Sequence, residues 1–199
     1  MAVIAVTGDI GAGKSTLSRM LAQLIKCPVF DADKIAAEVW TRPEVLRVFS
    51  QRWGDDILDS KGNIIRPKIA EKIFTDDEEH KFCNSVIHPL VMNEIHRLTA
   101  GNSDSVAEIP LLPETGRPEW IDRVIYVTAD FGIRAERCRN SRGWTDDELR
   151  RREKFLLPQS ERLRICDYVI RSENSLSELK AKAVKFLQEN ETLTVRMTT

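Results

Sequence analysis

The sequence predicts an α/β fold in three layers, with a central parallel sheet, a helical insertion and a basic lid. Three observations carry this. Short apolar, β-prone runs alternate with amphipathic helical stretches at both ends of the chain. The stretch from about 34 to 100 is helical throughout and interrupts that alternation. A glycine-rich turn, Gly8-Asp-Ile-Gly-Ala-Gly13, joins the first apolar run to the first helix.

Taken in order, residues 2–7 form a buried strand, since they are mostly apolar. After the glycines, Leu17, Leu21, Leu24 and Ile25 recur at helical spacing and define a helix opening at about Lys14. Pro28-Val29-Phe30 is a short second strand ending at Asp31-Ala32-Asp33. Strand, loop, helix, strand is a βαβ unit and implies parallel pairing. In the helical block, Thr41–Glu44 and Thr75–Glu78 have the spacing of capping boxes, Lys61-Gly62-Asn63 is a turn, and Pro89 kinks or begins a helix. Ser105–Ile109, Val124–Val127 and Tyr168–Ile170 are further strands. Thr145–Glu148 and Ser175–Glu178 cap two later helices. The last of these carries Leu176, Leu179, Ala183, Phe186 and Leu187 on one side, and the tail after Asn190 frays. The organisation is one unit over 1–199: a core from 1–33 and 104–190, an insertion at 34–103 and a lid at 134–164.

Bulk properties narrow the function. The net charge is −1 over 199 residues, so no global field draws the chain to nucleic acid or an anionic membrane. No run is long enough to span a bilayer, and the N-terminus reads as a strand, not a signal peptide. Cys27, Cys83, Cys138 and Cys166 are scattered, which suits isolated thiols in a reducing cytoplasm. His80, His88 and His96 are eight apart, about 80° beyond two helical turns, so they share no face for a metal.

The loop matches G-x-x-x-x-G-K-[ST] at Gly8, Asp9, Ile10, Gly11, Ala12, Gly13, Lys14 and Ser15, between a strand and a helix as the motif requires. Polyphosphate needs many donors at close range. Glycines let main-chain amides form a nest, and the helix start adds its dipole. Gly8, Gly11, Ala12 and Gly13 form the cradle, Lys14 supplies a full charge, and Ser15, with Thr16 beside it, offers a hydroxyl to Mg²⁺. ATP with Mg²⁺ is the ligand this implies.

Asp31 and Asp33 follow the second strand, and the carboxyl ends of parallel strands share one crevice with the loop. A carboxylate there can accept a proton from an acceptor hydroxyl. If strand geometry persists, the two side chains point differently; Asp33 is also placed to cap a helix. Between Arg134 and Arg164 lie ten basic and six acidic residues, an excess of four positive charges. This segment reads as a lid, a mobile hairpin turning at Asn140–Thr145, whose arginines close over ATP.

Loop, Asp-Ala-Asp and basic lid together resemble the dephospho-CoA kinase family. TGDIGAGKST is similar to the family's TGGIGSGKST-like loop. WGDDILDSKGNIIRPKIAEKIF, VIHPLV and VAEIPLLPETG resemble three further family segments, so the likeness runs from about residue 3 to 188. It implies a three-layer P-loop kinase fold and ATP-dependent phosphorylation of the ribose 3′-hydroxyl of dephospho-CoA. By that resemblance Asp33 is the base, and Lys14 and Arg137, with Arg142, stabilise the γ-phosphoryl group. Arg66 and His88 of the insertion serve the dephospho-CoA side, and Pro110, Leu111 and Leu112 line the acceptor site near Asp31 and Asp33. The chain would act in the cytoplasm as a monomer or weak homo-oligomer.

The sequence departs from the family pattern at several points. Asp9 replaces a loop glycine and has to point outward, away from phosphate. Glu108 takes an aspartate position, Pro113 a phenylalanine position and Leu156 a glutamine position. Arg171-Ser172 stands where D-N is usual, and Ser141, with Arg142 beside it, falls at the second lid arginine. The alternatives are another small-molecule kinase on this scaffold, of nucleoside monophosphate or shikimate type, and a nucleotide-dependent switch or ATPase. A guanine switch would need N-K-x-D, which is absent, and a motor would need a better strand ending in Asp-Glu.

Overall fold

A computed structural model describes residues 2–173 and 175–190. In chain order the elements are β1 (Ala2–Gly8), α1 (Lys14–Ile25), β2 (Val29–Asp31), α2 (Ala32–Val39), α3 (Pro43–Trp53), α4 (Arg66–Thr75), α5 (Asp77–Ala100), β3 (Asp104–Glu108), α6 (Leu112–Thr115), β4 (Arg123–Thr128), α7 (Phe131–Arg142), α8 (Asp146–Glu153), α9 (Gln159–Arg162), β5 (Tyr168–Arg171) and α10 (Leu176–Glu189). The chain divides into two units, one comprising residues through Asp31 and from Leu98 onward, the other running Ala32–Arg97. The expected tail after Asn190 lies outside the described residues.

The first unit is a five-stranded sheet in the order β2-β3-β1-β4-β5 with every pairing parallel. β1 is central and buried along its whole length, which is why it reads as an unbroken apolar run. The chain crosses from β1 to β2 on one side and later to β4 on the other. The strand order therefore reverses at β1, the place where open α/β sheets take ligands.

One sheet face, with Ile4, Val6, Val106, Ile125, Val127 and Ile170, packs against α1 and α10. Those helices contribute Leu17, Leu21, Ala22 and Ile25, and Leu179, Ala183, Phe186 and Leu187. Val3, Ala5, Ala107, Val124 and Tyr126 alternate with these along the strands and are buried too. Phe186 is fully buried, with its ring 5.3 Å from that of Tyr168.

Two expected caps form. Thr145 accepts from Glu148 N and Ser175 from Glu178 N, each at 3.2 Å. Two do not, for local reasons. Pro43 holds the preceding Arg42 extended, so Arg42 becomes the N-cap of α3, and the Thr41 hydroxyl donates to Glu38 O instead. Thr75 ends α4 and donates to Glu71 O, while Asp76 accepts from Glu78 N at 2.8 Å. Pro89 neither begins nor ends a helix and lies within α5.

The second unit is built around Trp40, Phe49, Trp53 and Phe82, with Phe49 and Trp53 stacked at 4.8 Å. Trp53 Nε1 donates to Glu79 at 2.6 Å. Its turn at Lys61–Asn63 is tied by Asp59, which accepts from both Lys61 N and Asn63 N. No helix among the described residues is long and apolar enough to cross a membrane.

Removing the Phe186 ring leaves a cavity between α10 and the sheet. Phe186→Ala is expected to lower unfolding free energy by about 3–5 kcal/mol, read as a drop in the denaturant midpoint with little change in slope.

Candidate active site

The loop from Gly8 to Lys14 leaves the carboxyl end of β1. Asp9 N donates to Val127 O at 3.0 Å and Ala12 N to Asp9 O at 3.2 Å, which folds the loop tightly against β4. Gly8 has φ +138°, and a Cβ there would lie 2.0 Å from Val127 O. A Cβ on Gly11, at φ +75°, would lie 2.8 Å from Arg134 O and Cys138 Sγ. The protein's own packing on β4 and α7 thus demands these two glycines, a reason independent of phosphate approach. Gly13 is the left-handed N-cap of α1. Thr16 N donates to Gly13 O at 3.1 Å, and the amides before it precede the first intrahelical bond.

Lys14 Nζ donates to Gly8 O at 3.1 Å and to Asp9 O at 3.0 Å, placing its ammonium across the loop. Ser15 Oγ donates to Glu108 Oε1 at 2.7 Å, and Glu108 is buried at the end of β3. A hydroxyl and a carboxylate so close form a hard-oxygen pair of the kind that binds magnesium. Asp31 is the register partner of Glu108 on the neighbouring strand. Thr7 Oγ1 donates to Pro110 O at 3.0 Å and ties the start of the Pro110-Leu111-Leu112 segment to β1. The first unit therefore gathers the glycines, Lys14, Ser15, Asp31 and Pro110 at one end of the sheet.

Asp33, Arg66 and His88 belong to the second unit. The strand ends at Asp31 and α2 begins at Ala32, so helical geometry sets the direction of Asp33, not the strand alternation expected from sequence. Asp33 sits in the first turn of α2, inside the helix and not at its cap, and is exposed. Arg66 is the exposed first residue of α4. His88 is half-buried on α5, where burial and the charge of His80 push its pKa down.

Arg137 reaches the loop. Its guanidinium donates to Ala12 O at 3.2 Å, and to Ser172 O at 2.7 Å just beyond β5. Arg142 instead lies over the Trp144 ring at 4.7 Å, at the end of α7. The basic segment is a helical hairpin whose turn is only Gly143–Thr145, shorter than expected because α7 continues to Arg142. Four of its arginines pair with acids of the same segment. Arg134 pairs with Glu153 and donates to Ala129 O and Ile10 O. Arg139 pairs with Asp146, and Arg151 and Arg152 with Glu148.

Asp9 does not point outward. It is 3% exposed and faces β4 and α9, accepting from Tyr126 OH and Thr128 Oγ1 at 2.6 Å each, with Arg162 Nη1 at 3.1 Å. The charge is thereby turned toward β4 and α9. Burial raises its pKa, but the Thr128 and Tyr126 hydroxyls and the charges of Arg162 and Arg134 outweigh that and hold it below the usual carboxylate range. Sequence reasoning missed Tyr126 and Thr128 as parts of the site. It counted Arg162 only among the basic residues of the lid, and noted Glu108 and Ser172 only as departures. An acid closing a buried apolar strand is the signal that could have found Glu108.

The dephospho-CoA kinase family's sequence model matches residues 2–178. A dephospho-CoA kinase from Geobacillus kaustophilus is 33% identical over 193 residues, covering 94% of this chain and 95% of its own. A crystal structure of a Thermus thermophilus protein is 27% identical, with TM-score 0.79 over 94% of this chain and 97% of its own. A shikimate kinase from Acinetobacter baumannii, bound to shikimate, shares the fold at 18% identity, with TM-score 0.56 over 98% of this chain and 96% of its own.

Asp9 gives a pH dependence with a defined sign. Its folded pKa lies below its unfolded value. Its contribution to stability is therefore complete above about pH 4 and is lost as pH falls through the folded value. Thermal melts between pH 6 and 3 should show wild type losing more stability than Asp9→Asn over that range.

Proposed function

The chain belongs to the dephospho-CoA kinase family, and from that premise we propose that it transfers the γ-phosphoryl group of ATP to the ribose 3′-hydroxyl of dephospho-CoA, giving coenzyme A and ADP. The observation that carries this reading is the loop in which Lys14 Nζ and the Ser15–Glu108 pair stand at one end of the sheet, in a chain the family covers almost entirely.

Main-chain amides at Gly11, Gly13 and the start of α1 receive the polyphosphate, with Gly8, Ala12 and Thr16 framing the loop. Lys14 exchanges the Gly8 and Asp9 carbonyls for phosphate oxygens and neutralises charge that grows during transfer. Ser15 and Glu108 would hold magnesium, which when bound neutralises phosphate charge and orients the leaving group. Arg137, already at the loop, steadies the phosphates, and Arg142 can join it only by leaving Trp144.

On the acceptor side, Asp33 takes the proton of the 3′-hydroxyl as its oxygen bonds to phosphorus and the bond to the β-phosphate oxygen breaks. The proton passes from Asp33 to solvent. Asp31, Arg66, His88 and the Pro110-Leu111-Leu112 segment bind dephospho-CoA. The protein acts on this small molecule in the cytoplasm, as a monomer or weak homo-oligomer.

Incubation with ATP, Mg²⁺ and dephospho-CoA should yield coenzyme A, identified by mass. Phosphorylation of shikimate or a nucleoside monophosphate in place of dephospho-CoA would contradict the proposal. Asp33→Asn should lower kcat by roughly 10²–10⁴ with ATP affinity retained, and near-wild-type turnover would remove Asp33 from its role. Lys14→Ala should impair both ATP binding and turnover, measured by titration and steady-state kinetics.

A further inference from the structure

A carboxylate, Asp9, stands in the loop read as the ATP seat, and nothing in the transfer reaction requires it. Its contacts say what it does. Asp9 N donates to Val127 O, and Asp9 O accepts from Ala12 N and Lys14 Nζ. In the side chain, Oδ1 accepts from Tyr126 OH at 2.6 Å and pairs with Arg162 at 3.1 Å. Oδ2 accepts from Thr128 Oγ1 at 2.6 Å and Gln159 Nε2 at 3.4 Å. Two of the four side-chain partners come from β4 and two from α9.

Arg162 is 8% exposed and fastened in turn. Its Nε donates to Leu157 O at 2.9 Å, and its guanidinium lies 5.5 Å from the Tyr126 ring centroid. Leu157 N donates to Glu114 of α6 at 3.2 Å. The return of the basic segment, from Leu157 to Arg162, is therefore anchored at both ends by side chains of the sheet end. A cavity of about 480 Å³ borders the pair, lined by Phe131, Lys154 and Gln159 among others, so packing on that side does not fix α9.

A buried ion pair is a poor source of stability, because desolvation of both charges offsets their attraction, and two apolar residues would fill the space as well. What the pair supplies is direction. We propose that Asp9 is a positioning residue for the phosphate site: through Arg162 and Gln159 it sets α9 against the loop, and through its carbonyl it sets where Lys14 rests. This rests on the reading of the loop as the ATP seat. Lys14 has to trade two carbonyls for phosphate oxygens when nucleotide arrives. A loop already held in one shape makes that exchange without first being ordered.

A double-mutant cycle on the full chain tests this with ADP as the probe. Affinity is measured by titration calorimetry well below each variant's melting temperature, and stability by thermal melts. Asp9→Asn and Arg162→Met should each lower the melting temperature and weaken ADP binding by about tenfold or more. The double variant leaves neither charge buried alone, so its melting temperature should recover. Its ADP affinity should stay weak, since the charged tie between α9 and the loop is then gone and only the longer Gln159 contact is left. A purely structural pair would restore both together, and that result overturns the proposal, as does wild-type ADP affinity in Asp9→Asn. Should Asp9→Asn fail to fold, Thr128→Val keeps the pair and removes one hydroxyl donor. It should bind ADP about threefold more weakly, and unchanged binding overturns the proposal. Wild-type protein that binds no ADP would contradict the functional reading itself, and this inference with it.

Discussion

The contact of the Gly8–Asp9 backbone with Val127 is the constraint on which the site depends. Asp9 N donates to Val127 O, and Gly8 passes so close to that carbonyl that no side chain fits. This fixes where β1 ends and where the chain turns, and hence where α1 starts. The amides of that first helical turn and the Lys14 ammonium inherit their positions from it. The hydrophobic burial of α1 and α10 on the sheet supplies the rigidity behind the contact. A loop of such intrinsic freedom holds one shape because both its flanks are packed.

Electrostatics then sorts charge around that loop. The Ser15 hydroxyl and Glu108 carboxylate stand together at the β3 end. The Asp9 carboxylate, which would repel phosphate if turned inward, is spent on hydroxyls and on Arg162. Most arginines of the α7–α8 hairpin are paired with acids of the same segment, so few of its guanidiniums stand ready for a ligand without first giving up a partner. Arg137 is instead held against the loop by the backbone carbonyls of Ala12 and Ser172.

Much of this was legible in the sequence. β1 through β5 fall within about a residue of their expected places, because buried parallel strands read as short apolar runs. The loop was legible because its residue types and its place between strand and helix point the same way. The Thr145 and Ser175 caps were legible, whereas Thr41 and Thr75 were not, because the influence of Pro43 and the competing Asp76 are decided by one residue of register. The short helices α6 and α9 carry too few residues for a periodicity. The partners of Asp9 could not be read at all: Tyr126, Thr128 and Arg162 are more than a hundred residues away in sequence and meet only because β4 pairs with β1. Sequence reasoning saw that this charge needed a destination and sent it outward; the fold provides one inside.

The central claim is that main-chain amides, with Lys14, form the anion seat. The most direct measurement is to follow backbone amide resonances while ADP is titrated into ¹⁵N-labelled protein. The account predicts that the amides of Gly11, Gly13, Lys14 and Ser15 shift downfield together as they donate to phosphate, with saturation matching nucleotide binding. Tight nucleotide binding that leaves those resonances in place would contradict it.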